Sequence, residues 1–397
     1  MSSPLTGTRR DFVAASAAAG AVATLSAGAF AAGGDAIRVG LIGAGGRGTG
    51  AVRNILQAEQ VIHPNAGKVE IVAVGDVFKD RAEGAVRTFR TGRDYAPFAA
   101  QIKVTPETTF DGLNAYERVL NAGVDLVILA TPPGFRPQHL EAAVRAGKNI
   151  FCEKPVCVDA TGARRVYGLV EESRRRNLAI VAGTQRRHQK GYIETIKKIH
   201  EGAIGDVVAG RCSWNNNGIW FNRRQPGQSD ATYQLRNWYH YLWLCGDHIV
   251  EQHVHNLDVA NWAVGAHPVR AVGMGGRQQV AGPELGQSYD HFAVDYEYPN
   301  DVHIMSMCRQ IPGCENNVSE TIVGTKGRFQ SNGYRFSGAN KERIRVHDGN
   351  AYVHEHTHLL ESIVSAQPLN ELRQVAESTL TAIMGRMSAY TGKAVTW

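Results

Sequence analysis

A Glu-Lys-Pro tripeptide, residues 153–155, is the first place in this chain where side chains of the right type could do chemistry. It directly follows Asn149–Cys152, a short apolar run that predicts a strand. Pro155 fixes its own φ and biases the preceding residue towards an extended backbone, which would aim Lys154 into a cleft. An ammonium group there can hydrogen-bond a substrate oxygen and stabilise charge as a hydride leaves or arrives. The alternative is an ordinary Glu-Lys pair on the surface.

A second group of candidate catalytic residues lies between positions 248 and 258. Four ionisable side chains recur there at i, i+3, i+7 and i+10, which would place them on one face of a continuous helix: His248, Glu251, His255 and Asp258. Histidine titrates near neutral pH, so it could take an alcohol proton while a neighbouring carboxylate orients its ring. Two other interpretations stay open, a metal site built from the same histidines and carboxylates, and a solvated polar face.

The element that must position these groups begins with the apolar run Ile37–Ile42, which predicts a buried strand. Gly43, Gly45 and Gly48 follow as G-x-G-x-x-G, and a helical pattern comes next. In this strand–turn–helix context, one glycine makes the tight turn, one lets the backbone approach a pyrophosphate, and one lets the helix pack close to the strand. The pyrophosphate would bind the free N–H groups at the helix N-terminus. The pattern therefore predicts a dinucleotide site.

The next predicted strand, Val69–Val74, ends at Gly75-Asp76, where an acidic residue can accept hydrogen bonds from an adenosine ribose and repel a 2′-phosphate. We therefore expect NAD, with NADP less suitable. The spacing from Gly48 is longer than the usual ~20 residues, and residues 63–67 are interpreted as the loop that accounts for it. The candidate cofactor-binding residues belong to the glycine turn and to the following strand ends: Gly43, Gly45, Gly46, Arg47, Gly48, Asp76, Thr131, Pro132, Pro133, His139, Glu153 and Lys154.

Aromatic and polar residues crowd the stretch from Trp214 to Tyr241. Aromatic faces with amide and guanidinium donors suit a sugar ring, although each of these residues could equally belong to a core. Gln185 and Arg186 follow a strand end and could point into the same cleft. The candidate substrate-binding residues are Lys154, Gln185, Arg186, Tyr233, Arg236, Trp238 and His255.

The N-terminus carries the sequence Thr8-Arg9-Arg10-Asp11-Phe12-Val13, followed by an Ala-rich, mildly apolar stretch and a small-residue cleavage site near Ala31. This order predicts a twin-arginine signal peptide over residues 1–32. The stretch is too rich in Ala and Gly for a stable membrane span. The mature protein is therefore expected to be exported, to the periplasm or beyond.

The fold class expected is α/β, with two domains. A doubly wound parallel sheet spans residues 36–155, and a strand at 178–182 closes it. Alternating segments after residue 205 predict a C-terminal α+β domain, 156–397, with a large and mainly antiparallel open sheet. A long helical stretch is expected from Trp238 to Val264.

Composition narrows the partners. The net charge is +6, and the basic block Arg174-Arg175-Arg176 resembles the solvated end of a helix, so nucleic acid is not expected as a partner. The six cysteines show no C-x-x-C spacing and are interpreted mainly as buried thiols. Cys308 and Cys314 could pair across a loop.

Together these motifs resemble the glucose–fructose oxidoreductase/inositol dehydrogenase/MocA (Gfo/Idh/MocA) family over essentially the whole mature chain. The resemblance rests on the glycine turn, Ala146-Gly147-Lys148 before Glu153-Lys154-Pro155, His255-x-x-Asp258, and Gly324-Thr325-Lys326-Gly327. It implies a nicotinamide-dependent enzyme acting on sugars, cyclitols or their derivatives, with Lys154 and His255 acting on the substrate carbinol. The residue four before the histidine is usually Asp and here is Glu251. The family's C-terminal sheet commonly forms an oligomer interface, so a homo-oligomer is expected.

Three functions remain open at this point. The first is a sugar oxidoreductase with tightly bound NAD that is recycled internally, because an exported enzyme has no cytosolic pool of nicotinamide to draw on. The second is an NAD-dependent glycosidase that works by transient oxidation, elimination and re-reduction. The third is a non-catalytic sugar-binding protein, against which the presence of both Lys154 and His255 argues.

Overall fold

A six-stranded parallel sheet forms the N-terminal half of the structure, a computed structural model that describes residues 36–62, 68–279 and 282–397. Its strands are β1 Ile37–Ile42, β2 Val69–Asp76, β3 Thr109–Asp111, β4 Leu126–Leu129, β5 Asn149–Cys152 and β6 Ile180–Ala182, in the order β3-β2-β1-β4-β5-β6. The strand order reverses at β1, so the connections that leave the carboxyl ends of β1 and β4 separate and open a crevice, where ligands of such sheets bind. The predicted signal peptide and residues 63–67 lie outside the described residues.

Helices cover both faces of this sheet. They are α1 Gly46–Ile62, α2 Lys79–Thr91, α3 Ala115–Leu120, α4 Arg136–Arg145, α5 Ala160–Arg175 and α6 Lys190–His200. Short 3₁₀ turns occupy Arg93–Gln101, Pro106–Thr108 and Gln185–His188. The central strands β1 and β4 are buried on both faces, as near-continuous apolar runs require.

The C-terminal half is built on a nine-stranded sheet in the order β14-β13-β12-β11-β7-β10-β9-β8-β15. The strands are β7 Val207–Asn216, β8 Arg270–Gly276, β9 His291–Tyr298, β10 Val302–Gln310, β11 Asn317–Gly324, β12 Gly327–Gln330, β13 Arg335–Gly338, β14 Glu342–Arg343 and β15 Val395–Thr396. Every pair is antiparallel except β7 with β10, which is parallel. The predicted fold class, a doubly wound parallel sheet followed by a mainly antiparallel one, is confirmed.

The helices of this half are α7 Asp230–Arg236, α8 Leu242–Cys245, α9 His248–Glu251, α10 Val254–Val264, α11 Ala351–Val364 and α12 Leu372–Thr391. The prediction of one long helix from Trp238 to Val264 is wrong. Gly246 and Asp247 both have positive φ, 79° and 88°, and break the helical path. The Asp247 carboxylate holds the break because it accepts hydrogen bonds from the Tyr289 amide and the Tyr390 hydroxyl, which are distant in sequence.

Helix α11 returns to the nucleotide-binding half and packs on α1. Its apolar side chains Val353, Leu359, Leu360 and Ile363 join the same buried cluster as β1 and α1. The nucleotide-binding half is thus completed by residues from near the end of the chain. No helix in the described ranges combines the length and apolar character needed to cross a membrane.

Candidate active site

The glycine turn after β1 has the geometry that a dinucleotide requires. Gly43 has a φ of 99°, a left-handed conformation that favours glycine. A Cβ on Gly48 would collide with the Gly43 carbonyl, so α1 can lie this close to the turn only with glycine at that position. Helix α1 begins at Gly46, and the amides of its first turn have no intrahelical acceptor. They are available to an anionic pyrophosphate.

This turn opens into a cleft of about 530 Å³, a volume within the usual range for cofactor sites. The cleft runs along the carboxyl ends of β1, β2 and β4. Of the predicted cofactor-binding residues, eight line it: Gly43, Gly45, Gly46, Arg47, Asp76, Thr131, Pro132 and His139. The residues present therefore fit a bound dinucleotide.

Asp76 stands at the carboxyl end of β2, on the wall of this cleft. One carboxylate oxygen accepts the Ala44 amide at 2.8 Å and the other accepts the Phe78 amide at 2.9 Å. Burial raises the pKa of Asp76, and the two amides oppose that shift. The carboxylate is thus held in place by the backbone, with lone pairs left over for ribose hydroxyls.

Arg47 and Glu153, both predicted to bind the cofactor, bind each other. The Arg47 guanidinium pairs with Glu153 and with Glu355 of α11, and it lies 4.6 Å from the centre of the Tyr352 ring. Glu355 is fully buried, and burial raises its pKa well above the ordinary value. Arg47 therefore ties the glycine turn to the tripeptide after β5 and to α11.

His139 is held as a neutral ring beside the cleft. Its Nδ1 lies 3.1 Å from the Thr131 hydroxyl, and its ring centre lies 4.4 Å from that of Tyr116, with the two rings tilted by 30°. Burial lowers the pKa of His139 to about 3. Pro133, which precedes helix α4, does not line the cleft, whereas Pro132 does.

Arg136 is a positioning residue that the sequence analysis missed. It is only 2% exposed and donates at 2.6 Å to the carbonyls of Glu153 and Pro155, and also to the carbonyl of Thr131. Burial lowers the pKa of Arg136. One guanidinium thus fixes the loops after β4 and β5. A basic residue in the first turn of a helix opposes the helix dipole, and that anomaly was a signal available in the sequence.

Lys154 and Glu251 form the centre of the candidate catalytic group. The Lys154 ammonium donates at 3.0 Å to Glu251 Oε1 and also to the Glu251 main-chain carbonyl. Their side chains are 9% and 10% exposed, respectively. Glu251 Oε2 has no hydrogen-bond partner among the described residues. This buried oxygen is available to a substrate hydroxyl.

His255 lies close enough to Lys154 for the ammonium to affect its titration. The ring stacks on Trp214 with centroids 5.6 Å apart and an interplanar angle of 22°. Burial lowers the pKa of His255 well below its ordinary value, and the positive charges of Lys154 and Arg186 lower it further. The imidazole is therefore neutral near pH 7 and able to accept a proton.

The predicted common face of His248, Glu251, His255 and Asp258 does not form, because the helix breaks between α9 and α10. Asp258 instead forms an ion pair with Arg187 at 2.8 Å, and its carboxylate accepts a hydrogen bond from the Ser378 hydroxyl at 2.7 Å. His248 Nδ1 lies 3.3 Å from the Tyr239 hydroxyl. Of the four, only Glu251 has a direct contact with Lys154 among the described residues, and burial together with the positive charge of Lys154 lowers the pKa of both His248 and His255. Within the described ranges, no three His, Cys, Asp or Glu side chains form a group that could hold a metal ion.

The turn after β6 contributes Gln185 and Arg186. Gln185 Oε1 is buried without a hydrogen-bond partner in the described part of the chain. Arg186 pairs with Glu320 on β11, and Glu320 also accepts the Tyr192 hydroxyl at 3.0 Å. Glu320 was not predicted from the sequence, although a carboxylate between Val318 and Ile322 on one face of a strand was a usable signal.

The other predicted substrate-binding residues have no contact with Lys154 or Glu251 among the described residues. Tyr233 is 1% exposed and its hydroxyl donates to the Glu284 carbonyl at 2.9 Å. Arg236 pairs with Asp80 at the N-terminus of α2. Trp238 lines the nucleotide cleft together with Trp220. Cys308 is a buried free thiol and Cys314 a half-buried one, so the optional pairing between them does not form.

Two family models match the chain. The model described as "Oxidoreductase family, NAD-binding Rossmann fold" matches residues 37–181, and the model described as "Oxidoreductase family, C-terminal alpha/beta domain" matches residues 196–395. Together they extend over both sheets.

Curated relatives are similar in parts of the chain. An inositol 2-dehydrogenase from Klebsiella pneumoniae strain 342 is 30% identical over 187 residues, 47% of this chain and 48% of that protein. The chain thus spans about half the length of this relative. An inositol 2-dehydrogenase from Acidothermus cellulolyticus is 27% identical over 293 residues, 73% of this chain and 71% of that one.

Among solved structures, a levoglucosan dehydrogenase in complex with NADH and levoglucosan has a TM-score of 0.70 at 17% identity. The superposition covers 91% of this chain and 99% of the other. At this identity the likeness concerns the fold alone. With both sheets matched by the family models and the glycine turn, cleft and Lys154 in place, the chain belongs to the Gfo/Idh/MocA family of oxidoreductases, with an NAD-binding Rossmann domain.

Proposed function

We propose that this protein oxidises a CH–OH group of a sugar or sugar derivative, with NAD as the hydride acceptor. The observation that carries the proposal is the approach of Lys154, Glu251 and His255 at the carboxyl edge of the parallel sheet. When bound, the nicotinamide would accept the hydride from the carbinol carbon. Lys154 would hydrogen-bond the carbinol oxygen, and the neutral His255 imidazole would take the hydroxyl proton. Glu251 would hold the ammonium in place.

The unpartnered buried oxygens of Glu251 and Gln185 support a polyhydroxylated substrate. Buried polar atoms are nearly always hydrogen-bonded, and a sugar ring supplies several hydroxyl donors. Trp214 adds an aromatic face beside His255. A non-catalytic sugar-binding protein would have no use for a lysine whose charge acts on a buried, neutral histidine.

We further propose that the predicted twin-arginine signal exports the folded enzyme with its cofactor already bound. Outside the inner membrane no nicotinamide pool can reoxidise NADH, so the cofactor must be retained and returned to its starting state within each cycle. The net reaction is then redox-neutral, with one sugar oxidised and another reduced, or with one glycoside oxidised, cleaved by elimination and reduced again.

Retention of the cofactor is tested by dialysing the protein extensively, denaturing it and measuring the nucleotide that is released. We expect an amount that corresponds to most of the sites, and Asp76 leads us to expect that the nucleotide is NAD. Mass spectrometry of the supernatant both quantifies and identifies it. Occupancy below about a tenth of the sites, together with steady NADH production from added NAD and one sugar, would indicate an ordinary dehydrogenase with an exchanging cofactor. Resident NADP would contradict the role given to Asp76.

The same preparation distinguishes the two redox-neutral reactions. Pairs of sugars are screened for products without NADH accumulation, and aryl glycosides are screened for the released aglycone. Coupled oxidation and reduction supports the oxidoreductase, whereas aglycone release without net NADH supports the glycosidase.

We propose that the outer face of the nine-stranded sheet forms a homo-oligomer interface. Four apolar side chains of β8 and β10 stand exposed on it: Val272, Met274, Met305 and Met307. The strand register puts Met274 and Met307 in one row, on either side of Ala293. Light scattering should give a multiple of the protomer mass, which is 43.2 kDa for the printed sequence. M274D/M307D should shift the population towards monomer. A monomeric wild-type protein would refute the interface.

A further inference from the structure

A segment of the C-terminal half, residues 217–241, lies along the nucleotide cleft. We name it the covering segment; it runs from the end of β7 to the start of α8 and includes α7. Four of its side chains line the same cleft as Asp76 and the glycine turn: Trp220, Asn222, Leu235 and Trp238. The cleft therefore has one wall that comes from outside the Rossmann domain.

The covering segment is fastened to the Rossmann domain beside β2. The Arg236 guanidinium forms two hydrogen bonds to the Asp80 carboxylate, at 3.0 and 2.6 Å. The same guanidinium lies 3.7 Å from the centre of the Phe78 ring. Phe78 and Asp80 follow Asp76 by two and four residues, so this contact sits at the adenosine end of the site. The Arg236 hydrogen bonds lower the pKa of Asp80, which keeps the pair ionised.

A second attachment lies across the cleft, beside β4. Just after the covering segment, the Leu244 carbonyl accepts the Gly134 amide at 2.9 Å. A Cβ on Gly134 would collide with the Trp243 carbonyl, so the two backbones are in close contact there. The covering segment is thus held on both sides of the cleft.

Internal hydrogen bonds connect the fastening to the cleft wall. Asn237, next to Arg236, is fully buried. Its side chain accepts the Asn222 amide at 2.8 Å and donates to the Asn222 carbonyl at 3.0 Å. Asn222 itself lines the cleft. A displacement of Arg236 would therefore carry the cleft wall with it.

We infer that the covering segment is a latch that slows release of the dinucleotide, with Arg236–Asp80 as its closing contact. The inference rests on the proposed retention of the cofactor and names the residues responsible. The Arg236 side chain is 27% exposed and that of Asp80 is 64% exposed. The pair can therefore open without exposing a core.

The test measures the dissociation rate of NADH directly. Holoprotein reduced to the NADH form is mixed with a large excess of NAD, and the loss of bound-NADH fluorescence is followed in time. We expect R236A to release NADH about tenfold faster than the wild type, since a bidentate pair and a guanidinium–ring contact are lost together. D80A removes the pair and leaves the contact of Arg236 with Phe78, so its release should be faster than that of the wild type and slower than that of R236A. The charge-swapped double variant R236D/D80R should recover slow release. R224A is the matched control, because Arg224 pairs with Asp230 inside the covering segment.

The outcomes separate the latch from retention itself. Fast release by R236A, with slow release by the wild type and by R224A, supports the latch. Equally slow release by the wild type and R236A overturns the latch and leaves retention standing. Fast release by the wild type overturns retention, and the latch is then judged by whether R236A is faster still. Equal acceleration by R224A and R236A also overturns it.

Discussion

Replacing Lys154 with alanine should lower turnover by about two to four orders of magnitude, the usual contribution of a positioned acid–base or charge-stabilising group. The variant loses the ammonium group that would hold the carbinol oxygen and leaves Glu251 as a buried carboxylate without its cation. Cofactor content should stay nearly unchanged, because Lys154 does not line the nucleotide cleft. Turnover is measured on the physiological sugar, and bound nucleotide is quantified in the same preparation.

His255→Ala should reduce turnover by a similar factor, since it removes the neutral imidazole beside Lys154. Lys148→Ala is the matched control for the lysine variant. Lys148 precedes strand β5, whereas Lys154 follows it, so the two lysines lie at opposite ends of that strand. The Lys148 ammonium donates a hydrogen bond to the Val124 carbonyl at 2.8 Å. Near-native turnover in either active-site variant would refute the role assigned to that residue.

Replacing Arg136 with leucine should lower the free energy of unfolding by about 3 to 5 kcal/mol, the range for breaking a buried network of charged hydrogen bonds. Three carbonyls would lose their donor at once, those of Thr131, Glu153 and Pro155. Turnover should fall as well, because two of these carbonyls flank Lys154. Urea unfolding at pH 7 measures the loss.

The control is Arg145→Leu in the same helix. The Arg145 side chain is 68% exposed and pairs with Glu141, so its loss should cost at most about 1 kcal/mol. If Arg136→Leu does not fold, Arg136→Lys provides the measurement, since it keeps the charge but cannot reach three carbonyls. A loss below about 1 kcal/mol in both Arg136 variants would show that the loops are fixed by other contacts.

The strands were predictable because their signals are local. Runs such as Ile37–Ile42 and Asn149–Cys152 coincide with the observed strands, since apolar continuity reports directly on burial. The break at Gly246-Asp247 was not predictable in this way. Its hydrogen-bond partners Tyr289 and Tyr390 are more than forty and one hundred residues away, and helical periodicity contains no information on such contacts.

The residues of the candidate site likewise fall into those that local motifs predict and those that depend on distant contacts. Lys154 and Asp76 stand in short motifs whose position after a strand already places them at the sheet edge. Arg136 acts on carbonyls of two loops, and Arg236 acts on a residue 156 positions away. The sequence could mark Arg136 as unusual in a first helical turn, but it could not show which groups either arginine contacts. The assignment of Arg236 to the substrate failed to anticipate Asp80 because charge complementarity between distant segments has no periodic signature.

The return of α11 to the nucleotide-binding half has a consequence for how the protein is made. The apolar cluster that supports β1 and α1 includes Val353, Leu359, Leu360 and Ile363. During synthesis these side chains emerge only after the whole parallel sheet and every strand of the nine-stranded sheet except β15 have been translated. Until then, the ribosome-bound Rossmann segment exposes the surface that α11 will cover, and Arg47 lacks Glu355 as a partner. A nascent chain of this protein should therefore depend on chaperones for most of its translation. A fragment that ends before residue 351 lacks α11 and should not fold into a stable nucleotide-binding unit.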